Sequence, residues 1–164
     1  ALKSVAGEYD YFVVDPPATL NVLVDNALVA ARNVLIPIEL TRKGSISIEG
    51  LEDTLDSMER GFQKFDDDFD LGILAVVPNE VGDSNIYRDT REELEAAGKP
   101  VTPFGVRKRD VLKEAWKRQM NVFEFAESEE TRDLREYEED LLANFEHLAR
   151  IVERGTVDVP EVEA

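Results

Sequence analysis

The chain has no cysteine, one histidine, one tryptophan and two methionines among its 164 residues. Without cysteine there is no disulfide framework, no thiolate metal site and no thiol nucleophile. His147 has no second histidine or cysteine to join it, so a metal role for it is not expected. No apolar run approaches the ~18–20 residues of a membrane span, and no signal-like segment opens the sequence. Cytoplasmic residence, with no membrane partner, is the expectation. Lysine is scarce, with seven Lys against twelve Arg. Acid is in excess: 36 Asp and Glu oppose 19 Lys and Arg, for a net charge of −17. A uniformly acidic, lysine-poor surface is what proteins working in concentrated salt tend to show, because screening there weakens self-repulsion. The composition points to a halophile, an archaeon, with an ordinary acidic mesophilic protein as the alternative. At 43% hydrophobic residues the chain can bury a core, and its length fits one domain.

The most informative stretch runs from Glu8 to Glu39. Tyr11 to Val14 is a short, largely apolar run that leads straight into Asp15, followed by Pro16 and Pro17. Such a run predicts a buried parallel strand, whose carboxyl end is where ligands sit in an open α/β sheet. Proline cannot donate to a ladder, so the strand must stop there and leave Asp15 at the sheet edge. An acid in that position can hold a hydrated Mg²⁺ beside a nucleotide phosphate. The alternative is that Asp15 caps a helix starting near Thr19 or Leu20.

Further strands are predicted near 34–38, 71–77 and 100–103, with helices near 20–31, 47–63 and 86–97. This alternation indicates βαβ crossovers and a parallel sheet covered on both faces. Residues 108–119 read as a short helix with Trp116 on its buried side. Residues 130–153 read as the longest helix. Its apolar stripe of Leu134, Tyr137, Leu141, Phe145, Leu148 and Val152 is expected to pack on the sheet. Asp66, Asp67 and Asp68 form a charged turn. Residues 1–154 read as one domain portion, and 155–164, acidic and containing Pro160, as a flexible tail.

Two features away from Asp15 carry chemistry. Asn79 follows the third strand, and a side-chain amide that donates and accepts at once suits the edge of adenine. Arg107, Lys108, Arg109, Lys113, Lys117 and Arg118 place six of the 19 bases within twelve residues. Lys113 and Lys117 share one helix face and could meet phosphates. The alternative is a basic helix paired with the surrounding acids.

Six segments follow in order: Tyr9-Asp10-Tyr11, Val13-Val14-Asp15, Pro16-Pro17, Asn26-Ala27-Leu28, Val34-Leu35-Ile36-Pro37 and Ile48-Glu49-Gly50-Leu51. Together they resemble the ParA/Soj group of partition ATPases, in the superfamily that includes MinD. A looser likeness continues through GILAVVPNEV and VTPFGVRKRDVLKEAW to the final helix. The resemblance implies an α/β fold with a doubly wound parallel sheet, P-loop NTPase-like, its N-terminal part missing here. No GxxxxGK[ST] phosphate loop (Walker A) occurs, so these residues read as the C-terminal portion of such a domain, and hydrolysis by them alone is not expected.

On this resemblance the complete protein is an ATPase that binds ATP and Mg²⁺, with Asp15 contacting the metal through water. Pro16, Pro17 and Ala18 correspond to the switch that senses the γ-phosphate. Asn79, Pro103 and Phe104 fall near the adenine, although Pro78 and Glu80 depart from the family pattern. ATP would bridge a homodimer that binds DNA without sequence preference until a ParB-like partner stimulates hydrolysis, segregating a chromosome or plasmid. One alternative is a MinD-like positioning ATPase, against which the acidic end, Asp158, Glu161 and Glu163, argues. Another is a non-catalytic interaction module that kept the fold.

Overall fold

The computed structural model describes residues 4–5, 7–17, 21–82 and 84–157. Ala18, Thr19 and Leu20, and the tail from Asp158 to Ala164, therefore lie outside the described residues. The elements run α1 (Val22–Ala31), β1 (Asn33–Ile38), α2 (Arg42–Phe62), β2 (Gly72–Val81), α3 (Asn85–Ala96), β3 (Val106–Arg107), α4 (Asp110–Lys117), α5 (Val122–Glu127) and α6 (Glu139–Arg154). The three strands form a parallel sheet in the order β1-β2-β3, so the α/β expectation holds.

The chain divides into two compact units, residues 1–34 with 53–72, and residues 35–52 with 73–164. In the first unit Val24, Leu28, Leu55, Phe69 and Leu71 are buried. Phe62 and Phe69 stack with centroids 5.0 Å apart, and the Arg32 guanidinium lies 4.6 Å from the Phe69 ring. Arg32 takes the left-handed conformation that ends α1, and it pairs with Asp66 at 3.2 Å. The predicted acidic turn is thereby tied to α1's end.

In the second unit the side chains of β2 alternate between two cores. Ala75 and Val77 pack with Val106, Val111, Ala115, Val122, Phe125, Leu141 and Ile151. Val76 packs the other way, with Leu40, Ile48, Leu94 and Val101. Successive residues of a strand point to opposite faces, so a run apolar at every position is covered on both sides. That is the double winding expected of this sheet. Gly44 sits where a Cβ would come within 2.6 Å of the Glu39 carbonyl oxygen, which lets α2 start directly beside the end of β1.

Five expectations are corrected. Tyr11 to Val14 form no strand; Val13 is 96% exposed, and Asp15 does not end a ladder. An apolar run becomes a strand only where a neighbour receives its N–H and C=O groups, and none does so among the described residues. Asp15 does not cap the first helix either. Asn21 does, accepting from the N–H groups of Leu23 at 2.8 Å and Val24 at 3.4 Å.

The strand near 100–103 shrinks to a bridge between Val101 and Val76, because Pro100 and Pro103 bracket it and cannot donate; pairing resumes at β3. Finally, the long helix starts at Glu139 rather than near residue 130. Thr131 donates its hydroxyl to the carbonyls of Phe125 (2.5 Å) and Ser128 (2.8 Å), holding a turn after α5, itself unforeseen. Leu134 still packs on the core from this irregular segment, whereas Tyr137 is half-exposed. Trp116, expected inside, is 83% exposed: Val111 and Ala115 take the buried face of α4, and Trp116 lies one residue, about 100°, beyond it.

Candidate functional site

The carboxyl end of β2 opens onto a cavity of about 430 Å³, within the range of small-molecule sites. In an open parallel sheet this is the end where ligands gather. Val81 and Gly82 carry the chain off the strand, and Ser84 caps α3 by accepting from the Tyr87 N–H at 3.2 Å. Tyr87, Arg88 and Arg91 therefore project from the first turns of α3 into the cavity wall, opposite Pro103 and Arg107. Gly105 lies where any Cβ would collide with Val81, so only glycine lets the chain turn there into β3.

The charge of this wall is held by internal partners. Arg91 donates to the Thr102 carbonyl at 2.7 Å and pairs with Glu95 at 2.8 Å. Arg88 donates to the Asn85 side chain. A cavity with tyrosine, proline and anchored guanidinium groups offers both a flat apolar face and positive potential, which together suit a heterocycle carrying negative charge.

The residues singled out in the sequence are distributed as follows. Asp15, Pro16 and Pro17 are exposed in the first unit. In the second unit Pro103 and Arg107 line the cavity. Asn79 is exposed near the end of β2, in register with Val106. Phe104 is half-buried, packed on the core with its ring 5.1 Å from His147. His147 is buried, and its Nε2 finds no hydrogen-bond partner among the described residues.

The basic cluster does not act as one body. Lys108 pairs with Glu80 at 3.4 Å, and Arg109 with Asp140 at 3.1 Å, where it also lies over the Tyr137 ring. Lys113 is exposed and 3.6 Å from Asp110. Lys117 and Arg118 are exposed with no ion-pair partner among the described residues.

Ser84, Tyr87, Arg88 and Arg91 were missed by sequence reasoning. The available signal was a serine placed just before a helix that follows a strand, which is a capped turn at the sheet's carboxyl edge.

Residues 1–71 match the family described as AAA domain. The chain is 39% identical over 61 residues to a chromosome partitioning protein ParA of Myxococcus xanthus, covering 37% of this chain and 22% of that protein. It is 38% identical over 60 residues to an uncharacterized protein of Pseudomonas putida, with the same shares covered. The matches thus span about a fifth of the length of these relatives. No solved structure is significantly similar to the chain. The first 71 residues are similar to the AAA domain family.

Proposed function

We propose that the full-length protein is an ATP-driven partition switch, an ATPase whose ATP-bound dimer holds DNA while a chromosome or plasmid is segregated. The observation that carries this reading is the 39% identity over 61 residues to a chromosome partitioning protein, beside the family match over residues 1–71, the stretch that includes Asp15 and the Pro16-Pro17 turn. The double-wound parallel sheet and the cavity at the carboxyl end of β2 support it from the structural side.

By their chemistry, residues within each unit would suit the proposed cofactor. Asp15 is an exposed carboxylate, the kind of single acid that holds Mg²⁺ through its retained waters rather than in a protein cage. Mg²⁺ would neutralise phosphate charge, and Pro16 and Pro17 would stiffen the turn beside it. Pro103 would present a flat apolar wall to a base, with Asn79 and Phe104 on neighbouring segments. Lys113, Lys117 and Arg118, exposed on and after α4, and the equally exposed Lys108 would be the bases that reach DNA phosphates, while Arg109 is held nearer the fold by Asp140 and Arg107 is half-buried. A ParB-like partner would time hydrolysis. Mg²⁺-dependent ATP turnover by the full-length protein, and its loss in Asp15→Ala, is the test.

A further inference from the structure

The cavity at the carboxyl end of β2 holds more positive charge than a neutral base needs. Arg88, Arg91 and Arg107, three of the chain's twelve arginines, are among its walls, and among the described residues no wall residue is acidic. This stands in a chain with 36 acids and a net charge of −17. A purine is read by neutral hydrogen bonds and apolar contact, which leaves three guanidinium groups unexplained. A phosphate is the group that a planar guanidinium fork matches in both charge and shape.

The local backbone explains how carboxylates stay out of the walls. β2 carries a bulge: its register on β3 shifts between Asn79, opposite Val106, and Val81, opposite Arg107. Glu80, the residue between them, takes a left-handed φ of 50°. Bulges of this kind re-aim side chains at a sheet's edge. Val81 joins the cavity wall, while the Glu80 carboxylate meets Lys108 at 3.4 Å. Glu95, one turn along α3, accepts from the Arg91 Nε at 2.8 Å and is not a wall residue either. Arg91 is thereby fixed, since it also donates to the Thr102 carbonyl at 2.7 Å. Arg88, three residues before it, is exposed, and its side chain's partner among the described residues is the neutral Asn85. A guanidinium has five N–H donors, so Arg88 keeps donors for a ligand.

We propose that this cavity is a binding site for a small phosphate monoester, whose dianion is met by Arg88 and Arg107 beside the fixed Arg91 and whose organic body lies along Tyr87 and Pro103. The inference goes beyond the partition reading and does not rest on it. The site lies wholly in the second unit and uses neither Asp15 nor Mg²⁺. Where both hold, the monoester and the base of ATP would compete for the Pro103 wall.

Isothermal titration calorimetry of the 164-residue chain with adenosine monophosphate, ribose phosphate and adenosine, each in EDTA, tests the proposal. A chain of net charge −17 repels small anions at long range, so saturable uptake of a dianion reports a local site. At least one of the two phosphates is expected to bind at least about tenfold more tightly than adenosine, the factor that one charge-assisted hydrogen bond supplies. Adenosine monophosphate alone would make the occupant a nucleotide, ribose phosphate alone a sugar phosphate, and binding of both a site that reads chiefly the phosphate. Arg88→Ala is expected to weaken the bound phosphate by at least about tenfold. Arg88 is exposed, and circular dichroism checks that the variant keeps its fold. Adenosine binding as tightly as the phosphates, no binding by any of the three, or an affinity unchanged in Arg88→Ala overturns the proposal. Mg²⁺-dependent turnover of the full-length protein can succeed or fail without altering any of these outcomes.

Discussion

Replacing Glu138 by glutamine removes one charge from a buried carboxylate held by three hydrogen bonds. Its side chain is fully buried at the start of α6. Arg132 donates to it twice, Nη1 at 2.7 Å and Nη2 at 2.9 Å, and the Arg135 N–H donates at 3.0 Å. Arg132 also donates to Glu114 on α4, at 2.9 and 3.2 Å, so the guanidinium clamps α4 to the entrance of α6. The Arg132 hydrogen bonds, opposed by burial and helped by the Arg135 N–H, hold the Glu138 carboxyl down from its ordinary 4.5 to about 2. The two glutamates in turn push the Arg132 guanidinium up.

Hydrogen bonds to charged groups contribute about 1.5–3 kcal/mol each. Glutamine keeps one acceptor, and Arg132 is 29% exposed and keeps Glu114, so the net loss is set at about 2 kcal/mol. For a chain of this size that lowers Tm by about 4–8 °C at pH 7. The sign with pH follows from the lowered carboxyl. Its contribution is complete above pH 4.5 and is lost as pH falls toward 2, where the protonated acid resembles the amide. Thermal melts of both proteins followed by circular dichroism should show the gap at pH 7 and see it narrow steadily below 4.5. Equal melting temperatures at pH 7, or a gap unchanged at pH 2.5, would refute the clamp.

Stability should rise with salt, because the screening length falls from ~8 Å at physiological salt to ~3 Å at 1 M and repulsion within a chain of net charge −17 falls with it. Melts in dilute buffer and in molar KCl check this, and a flat or falling Tm counts against adaptation to salt. In the full-length ATP-bound protein, Lys113→Glu with Lys117→Glu should weaken all DNA duplexes alike and lower the slope of log affinity against log salt by about one per lost phosphate contact. Undiminished DNA binding would make the pair a solvated helix face.

The parallel sheet was legible because β1 and β2 are apolar at nearly every position and are separated by helical periods, a pattern that only a sheet covered on both faces produces. Pro103 lies in the cavity wall, and a proline closing a short extended segment was legible in the sequence. Tyr11 to Val14 misled because apolarity reports a capacity for burial and not the presence of a pairing neighbour. Trp116 misled for a geometric reason: beside Val111 and Ala115, one helical step decides between core and rim, and composition cannot supply that phase. The start of α6 was hidden because Arg132, Glu138 and Thr131 meet through partners far apart in sequence or in the backbone of a neighbouring turn. Arg88 and Arg91 were unread because nothing in a helical pattern says that its first turns face a ligand edge.

The central claim is most directly tested by Mg²⁺-dependent ATP turnover of the full-length protein beside its Asp15→Ala variant. The account predicts turnover that requires Mg²⁺ and falls at least about a hundredfold in the variant, with the melting curve unchanged because Asp15 is exposed. Turnover at the unmutated rate in Asp15→Ala, with magnesium dependence retained, would contradict it.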